Sequence, residues 1–366
     1  MTPSFEFQAR TRVVFGDSSL DRLGELARSL GFARTLVVSD HGVADAGYVE
    51  RALTSLIAAG ITARSFLEFD CNPDTAMVER GRAAAADLQC DSIVGLGGGS
   101  SMDCAKGINF VYSNGGTMRD YWGHGKASRP MLPSIGIPTT AGTGSEAQSY
   151  ALISDAETHV KMACGDEKAA FRIAILDPSL TRSAPRAVTA TAGYDALSHA
   201  VEAFVTTKGN PLSRGFARQA FDLIEPNLER VLASTAASSS EMLLGANVSG
   251  MAIEHSMLGA AHACANPLTA RYGIVHGIAV SVMLPHVVRW NSKEVDYTPL
   301  YSSDLPARLI ELGRTCAMPA TLKQAGVGAD ALESLAEAAS QQWTGKFNPR
   351  PFDASAALEL YRCAFE

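Results

Sequence analysis

Several features that mark whole classes of protein are missing from this sequence. No run of lysine and arginine reaches five residues, and the net charge is −7 with a pI near 5.7. This balance argues against a nucleic-acid partner or an anionic membrane surface. No segment approaches the roughly 18 apolar residues of a transmembrane helix, so we expect no membrane span. The start, MTPSFEFQARTRVVFG, has charges where a signal peptide has an apolar stretch.

Cysteine is scarce and does not occur in pairs. The number is odd, and no two cysteines form a CxxC motif. Such a pattern predicts reduced thiols in a cytoplasmic protein rather than a disulfide framework. The seven positions are Cys71, Cys90, Cys104, Cys164, Cys264, Cys316 and Cys363.

The pattern of predicted secondary structure changes near residue 180. Of the 366 residues, 46% are hydrophobic and 19% charged, which is typical of a globular protein of one large or two smaller domains. Before Asp177, β-rich runs alternate with helical stretches, and this predicts a parallel sheet covered on both faces. After Pro178, Ala- and Leu-rich helical stretches take over. We therefore predict an α/β dinucleotide-binding domain at 1–182 and a helical metal-binding domain at 183–366.

Two details of the helical half are further expectations. The stretch SEMLLGANVSGMAIEHSMLGAAHAC, 240–264, is read as helical, with His255 seven residues before His262 on the same face. The low-complexity patch ASTAASSSE, 233–241, is predicted to be a loop between helices.

A carboxylate and three imidazoles form a candidate metal site. Asp195 and His199 are four residues apart in a predicted helix, which puts both on one face, one turn apart. His262 and His276 follow in the next segments. One Asp and three His suit a divalent transition metal such as Fe(II) or Zn(II).

A glycine-rich loop between a strand and a helix is a candidate phosphate site. It holds Gly97, Gly98, Gly99 and Ser100, and its spacing is neither GxGxxG nor the Walker A pattern. Glycines let backbone N–H groups approach a pyrophosphate at a helix N-terminus. The alternative is a tight turn that needs positive φ.

A second polar loop follows another predicted strand. It contains Thr139, Thr140 and Thr143 in IPTTAGTGSE, and two such loops of one sheet could bind the same dinucleotide. Asp40, after TLVVSD, occupies the place of an acid that binds the adenosine ribose, and a carboxylate there favours NAD over NADP. The alternative for Asp40 is a helix N-cap.

These motifs together resemble the iron-containing (group III) alcohol dehydrogenase family. The similar segments are GGGSSMDCAK at 97–106, PTTAGTGSE at 138–146, HVKM around Lys161, GYDALSHAVEAF at 193–204 and HGIAVSVMLPHVVRWN at 276–291. The resemblance implies a dehydroquinate synthase-like fold, a Rossmann-like α/β domain followed by a helical domain, with cofactor and metal between the two. It also implies a homodimer or larger homo-oligomer.

The resemblance assigns roles to individual residues. It implies that Asp195, His199, His262 and His276 bind the metal and that Gly98, Gly99 and Ser100 hold the pyrophosphate. It places the adenosine end of the nucleotide at Asp40 and Asn72. The residues that it implies around the nicotinamide ribose are Thr139, Thr140, Thr143, Lys161 and Leu180.

One position departs from the family pattern. Asn266 stands where members carry a further His, four residues after the third ligand. Asn does not titrate near neutral pH, but it can orient a substrate hydroxyl. His255 is a candidate replacement for the missing imidazole in proton relay, while Arg271 and Tyr272 are candidate substrate contacts. For Arg271 the alternative is a surface position.

The expected reaction interconverts an alcohol and an aldehyde or ketone with hydride transfer to or from NAD(H). His276 and Asn266 are the candidate catalytic residues beside the metal. The alternatives are a glycerol-dehydrogenase-like polyol enzyme, a hydroxy-acid dehydrogenase or a synthase-like lyase on the same fold, and a catalytically silent scaffold subunit.

Overall fold

The structure is a computed structural model that describes residues 4–70, 72–233 and 236–366. Cys71, one of the predicted reduced thiols, lies outside the described residues. The chain forms two compact units, one of Gln8–Ala184 and one of Pro185–Glu366 together with residues 4–7. That the two units are separate domains with the boundaries given above stays a prediction.

The β-strands of the described residues all belong to the first unit. They are β1 (Arg12–Phe15), β2 (Arg34–Val38), β3 (Thr62–Phe66), β4 (Ser92–Gly97), β5 (Gly123–His124), β6 (Ser134–Pro138), β7 (Tyr150–Ser154), β8 (Lys161–Gly165) and β9 (Ile173–Leu176). The main sheet has six strands in the order β1-β9-β6-β4-β2-β3, and every neighbouring pair is parallel. The predicted parallel sheet is confirmed.

Helices cover both faces of this sheet. The helices of the first unit are α1 (Leu23–Ser29), α2 (His41–Asp45), α3 (Tyr48–Ala58), α4 (Thr75–Leu88), α5 (Gly99–Asn114) and α6 (Pro178–Thr181). Successive residues of β2 point to opposite faces, so Leu36 and Val38 join one apolar cluster while Val37 joins the other. The first cluster includes α4 and α5, and the second includes α1 and α3. Burial on both faces explains why these strands are continuous apolar runs.

The segment YALISDAETHVKMA departs from the expected alternation. Its two strands, β7 and β8, form an antiparallel hairpin in a separate sheet of three strands, in the order β5-β8-β7. The alternation of strand and helix predicted before Asp177 does not extend to this segment. Two strands joined by a six-residue connection pair more readily as a hairpin than as parallel neighbours, which need a long crossover.

The second unit contains helices and no strand in its described residues. Its helices are α7 (Arg186–Val205), α8 (Pro211–Leu232), α9 (Ala236–Glu254), α10 (Ala260–Tyr272), α11 (His276–Asn291), α12 (Leu305–Thr315), α13 (Leu332–Ser340) and α14 (Ala354–Phe365). Single 3₁₀ turns occupy Ser19–Arg22, Met118–Tyr121, Ser145–Ala147, Glu167–Ala169, Ala329–Ala331 and Trp343–Phe347. Among the described helices, none combines the length and the apolar character needed to cross a membrane.

Two local predictions for this unit are wrong. Within the patch at 233–241, residues 236–241 are helical and not a loop, because α9 begins at Ala236 and buries Ser238 and Ser239, whereas residues 234–235 lie outside the described residues. The stretch 240–264 is not one helix, because α9 ends at Glu254 and α10 begins at Ala260. The Asn210 side chain donates to the carbonyl of His255 (3.0 Å) just after α9, so a residue remote in sequence satisfies the backbone at the break.

Candidate metal centre and nucleotide loops

Helix α7 carries two of the four predicted ligands. Asp195 and His199 are one turn apart, and each is only 5% exposed. From Gly193 to Ala203 every residue of the helix is buried. Because this stretch of α7 is buried on all sides, its polar side chains need partners inside the protein.

Helices α10 and α11 supply the other two. His262 is the third residue of α10, and His276 is the first residue of α11. The start of α11 lies directly against α7, since a Cβ added at Gly277 would be 2.2 Å from the carbonyl oxygen of Thr191. Only glycine permits this approach, which brings His276 beside Asp195.

The three imidazoles converge on one carboxylate oxygen. Asp195 Oδ1 lies 3.6 Å from His199 Nε2, 3.6 Å from His262 Nε2 and 3.7 Å from His276 Nε2. The ligand atoms of Asp195, His262 and His276 are all within 4.8 Å of one another. These separations are too long for hydrogen bonds and fit donors that surround a common ion.

The hydrogen bonding supports a cation between these donors. Within the described part of the chain, Asp195 Oδ1 and His262 Nε2 are buried and have no hydrogen-bond partner. His262 Nδ1 is 2.6 Å from Glu202 Oε2, which leaves the Nε2 lone pair facing Asp195. A buried unpaired polar atom costs about 1–3 kcal/mol, and more when it is charged. The residues therefore fit a divalent metal.

The pKa values of His199, His262 and Asp195 are shifted by burial and by the charges of neighbouring groups. Burial lowers the pKa of His199 to about 4. Burial also opposes protonation of His262, yet the carboxylates of Asp195 and Glu202 raise its pKa to about 9. Burial opposes ionisation of Asp195, but the nearby imidazoles, His199 first, hold its pKa below the usual range. A cation would replace the proton that these carboxylates otherwise hold on His262.

The two predicted phosphate loops lie side by side at the carboxyl ends of β4 and β6. A Cβ at Gly99 would be 2.7 Å from Thr143 Cγ2, and one at Gly98 would be 3.4 Å from Thr140 Oγ1. The N–H of Thr139 donates to the carbonyl of Gly97 (3.0 Å). Close packing therefore requires a glycine at position 99, whereas the contact at Gly98 is an ordinary one. Both residues lie at the start of α5, where backbone amides lack partners within the helix.

Asp40 fits both interpretations of its role. It is the N-cap of α2, where Oδ1 accepts from the N–H of Val43 at 3.0 Å. Its other oxygen accepts from Ser101 Oγ at 3.2 Å, beside the glycine loop. A Cβ at Gly97, where φ is +147°, would be 3.0 Å from that same Oδ2. The carboxylate is half-buried at the edge of the sheet where a nucleotide would bind.

Asn72 and Lys161 are connected to the glycine-rich loop by hydrogen bonds. The N–H of Asn72 donates to Ser100 Oγ (3.2 Å), and its side-chain oxygen accepts from Lys161 Nζ (3.2 Å). Asn72 has φ of +63°, a conformation that Asn tolerates better than most residues. Both residues are exposed.

Leu180, predicted beside the nicotinamide ribose, has a buried side chain. Its side chain is fully buried in the apolar core beside α1 and α3. Its N–H donates to the carbonyl of Asp177, and its own carbonyl accepts from Ser183 Oγ. The place of Leu180 beside the nicotinamide ribose stays a prediction, and the burial of its side chain leaves the backbone as the part that could make this contact.

Asn266 has a partner that the sequence did not indicate. It lies one turn after His262 on α10, half-buried, and its Nδ2 donates to Gln342 Oε1 at 3.0 Å. Arg271 is exposed and donates to Ser334 Oγ, a contact that satisfies it at the surface.

His255 is not on a helix with His262, so that premise of the relay hypothesis is wrong. Its ring packs against Phe7, with centroids 4.4 Å apart. The proton-relay role itself stays a prediction.

Comparisons with known proteins agree with this architecture. Residues 10–178 match the model of the iron-containing alcohol dehydrogenase family, and residues 189–299 match the C-terminal model of the Fe-containing alcohol dehydrogenase family. The chain is 36% identical over 283 residues to alcohol dehydrogenase 4 of Schizosaccharomyces pombe, covering 77% of this chain and 67% of that protein. It is 35% identical over 280 residues to an NAD-dependent methanol dehydrogenase of Bacillus methanolicus, covering 76% and 74%.

A solved structure of a 1,3-propanediol oxidoreductase superposes with a TM-score of 0.95 at 32% identity, covering 99% of this chain and all (100%) of that one. The fold and the family matches define a metal-dependent oxidoreductase of alcohols and aldehydes that uses NAD(H). The chain belongs to the iron-containing alcohol dehydrogenase family.

Two residues of the site were missed by the sequence analysis. Glu202 is seven residues after Asp195 on α7, so the helical period places both on one face, and this spacing could have revealed it. Gln342 precedes the 3₁₀ turn Trp343–Phe347 and had no local signal at all. Its meeting with Asn266 depends on the packing of segments remote in sequence.

Proposed function

We propose that Asp195, His199, His262 and His276 hold one divalent metal in a dehydrogenase that oxidises a small alcohol with NAD. One observation carries this proposal: three imidazole Nε2 atoms lie 3.6–3.7 Å from a single buried carboxylate oxygen. Three neutral imidazoles and one carboxylate around a divalent ion leave a net charge of about +1. Such a site favours an anionic oxygen of the substrate.

When bound, the metal supplies a Lewis acid that lowers the pKa of an alcohol or polarises a carbonyl. The protein itself holds the donors in place from three helices. Asp195 and His199 come from α7, His262 from α10 and His276 from α11. His276 is 33% exposed, whereas the side chains of the other three are at most 7% exposed, so the open side of the group adjoins His276.

The nucleotide is proposed to bind through backbone amides of Gly98, Gly99 and Ser100 at the start of α5, a helix of 16 residues. Amides at a helix N-terminus favour the charge of a pyrophosphate. Asn72 is proposed at the adenosine end. Lys161, Leu180 and the three threonines of the second loop are proposed around the nicotinamide ribose. Asp40 would repel a 2′-phosphate, and this supports NAD over NADP.

Asn266 is proposed to orient the substrate. It follows His262 by one helical turn, and Gln342 already accepts from its Nδ2 (3.0 Å). Gln342 therefore fixes the side-chain amide with its Oδ1 as an acceptor. An acceptor at this point suits a substrate with a second hydroxyl, such as a diol or a hydroxy-aldehyde. A neutral amide here also means that no proton leaves through this position.

Iron(II) is the proposed metal, since the family matched is iron-containing, with zinc(II) as the alternative for the same donors. We propose a cytoplasmic enzyme, because the six described cysteines are free thiols and five of them are buried. We also propose a homodimer. The edge strand β1 exposes Val13 (38%) and Phe15 (45%), which a second copy would cover.

The test of the proposed function is an activity screen on protein loaded separately with Fe(II) and Zn(II). Small alcohols, diols and hydroxy acids are offered with NAD⁺ and with NADP⁺, and NADH formation is followed. We expect reduction of NAD⁺, with a diol preferred to the corresponding simple alcohol. Folded, metal-loaded protein that reduces neither cofactor with any of these substrates would contradict the proposal and favour a silent scaffold.

A further inference from the structure

Glu202 is a buried acid whose two oxygens have separate partners. It is 4% exposed on α7, two turns after Asp195. Oε2 lies 2.6 Å from His262 Nδ1, and Oε1 accepts from the backbone N–H of Ala261 at 2.7 Å. A buried carboxylate with two such contacts is costly to place and does not arise from core packing alone.

We infer that Glu202 is a positioning residue that selects the nitrogen His262 offers to the metal; this inference rests on the metal ligands of the proposed function. A carboxylate accepts hydrogen bonds, so Nδ1 of His262 carries the proton. The lone pair is then on Nε2, the atom that faces Asp195 Oδ1 at 3.6 Å. In the opposite tautomer Nε2 would carry a proton and could not bind a cation.

The same carboxylate also fixes the start of the helix that carries His262. The first N–H groups of a helix lack partners within it. Glu202 accepts from Ala261, and Asn348 Oδ1 accepts from Ala260 at 3.2 Å. Gly259 permits this approach, since a Cβ there would be 3.0 Å from both Glu202 Oε1 and Asn348 Oδ1. Glu202 thus contacts both the ring of His262 and the backbone N–H of the preceding residue, Ala261.

Two variants separate these effects. In Glu202→Gln the amide oxygen still accepts from the N–H of Ala261, but the NH₂ group faces His262 Nδ1 and makes that nitrogen an acceptor. The proton then moves to Nε2, and the ligand nitrogen is lost. In Asn348→Ala the other acceptor at the start of α10 is removed, while Glu202 and the His262 ring keep their contact.

The experiment measures Zn(II) affinity by competition with a chelating indicator and the thermal unfolding of the metal-free proteins. We expect the Kd of Glu202→Gln for Zn(II) to rise by about 10–100-fold, as for other residues that orient a metal-bound His. We expect Asn348→Ala to lower the melting temperature and to leave the Zn(II) Kd within about threefold, because it touches no ligand ring. His262→Ala, the reference, should lose Zn(II).

The outcomes distinguish the inference from the proposal beneath it. If His262→Ala loses Zn(II) but Glu202→Gln binds within about threefold of the parent protein, the role of Glu202 is wrong and the ligands stand. If His262→Ala binds Zn(II) normally, the proposed ligands are wrong. Should Glu202→Gln not fold, ¹⁵N-histidine spectra of the Zn(II)-loaded parent protein decide: a proton on Nδ1 of His262 supports the inference, and a proton on Nε2 overturns it.

Discussion

The four predicted metal ligands (the metal-ligand group) and the two predicted phosphate loops (the nucleotide loops) reach their geometry in different ways. At the metal-ligand group, buried side chains from three helices converge on one oxygen, Asp195 Oδ1. At the nucleotide loops, backbone amides and small side chains follow adjacent parallel strands, and close approach by glycine sets the shape. The first group therefore depends on which side chains are present. The second depends on where a side chain is absent.

The largest expected effect is the loss of one ligand. His262→Ala should remove bound metal and lower kcat by at least about 10³-fold, equivalent to roughly 4 kcal/mol of transition-state stabilisation. Binding of NADH, followed by its fluorescence, should change little, because the nucleotide loops are not altered. The control is His124→Ala, which removes an exposed imidazole on β5. Full activity of His262→Ala in the presence of a chelator would contradict the ligand assignment.

The second prediction concerns the glycine-rich loop, where Gly97→Ala adds one methyl group. A Cβ at Gly97 would be 2.2 Å from Ser101 Oγ, at φ of +147°. Gly97→Ala should raise KM for NAD by about 10-fold or more through a displaced loop and leave the metal content unchanged.

Gly115→Ala is the matched control, since Gly115 also has positive φ (+80°) but no heavy atom lies within 4 Å of an added Cβ. It should cost about 1–3 kcal/mol of stability without changing KM. An equal rise of KM in both variants would mean that backbone strain, and not the loop, is responsible.

Asp40→Ala tests the one part of the predicted nucleotide site where a side chain, and not a glycine, is expected to decide binding. Removal of the carboxylate should raise the ratio of kcat/KM for NADP⁺ to that for NAD⁺ by about 10-fold, or about 1.4 kcal/mol. Asp353→Ala removes another helix N-cap, that of α14, and should cost about 1 kcal/mol of stability with no change in cofactor preference. An unchanged ratio for Asp40→Ala would leave Asp40 as a cap only.

The smallest effect is expected at His255. Its ring packs on Phe7 at 4.4 Å, so His255→Ala should lower the free energy of unfolding by about 1 kcal/mol. The relay hypothesis makes a separate prediction, the loss of one limb of the pH–rate profile of kcat. A profile identical to that of the parent protein would exclude the relay, whatever the change in stability.

The parts of the site that follow a local period were predictable. Asp195 and His199 share a helix face because four residues make about one turn. The glycine and threonine loops follow apolar strands, and the carboxyl ends of parallel strands meet at one edge of the sheet. These features required only the residues near each motif.

The missed features depend on partners remote in sequence. The break between α9 and α10 is stabilised by Asn210, which binds the carbonyl of His255, and by Glu202 and Asn348 at the new helix start. No local pattern separates a helix that continues from one that other segments interrupt.

The amino-acid sequence by itself determined the family, the alternation that builds a parallel sheet, and the residue types of a metal site. Only the tertiary structure decided that three imidazoles point one nitrogen each at the same oxygen, that Glu202 holds the proton on His262, and that Gln342 holds Asn266. The physical reason is how far apart along the chain the interacting residues are. Periodicity and turn chemistry act over a few residues, whereas the direction of a buried lone pair depends on whichever distant side chain packs against it.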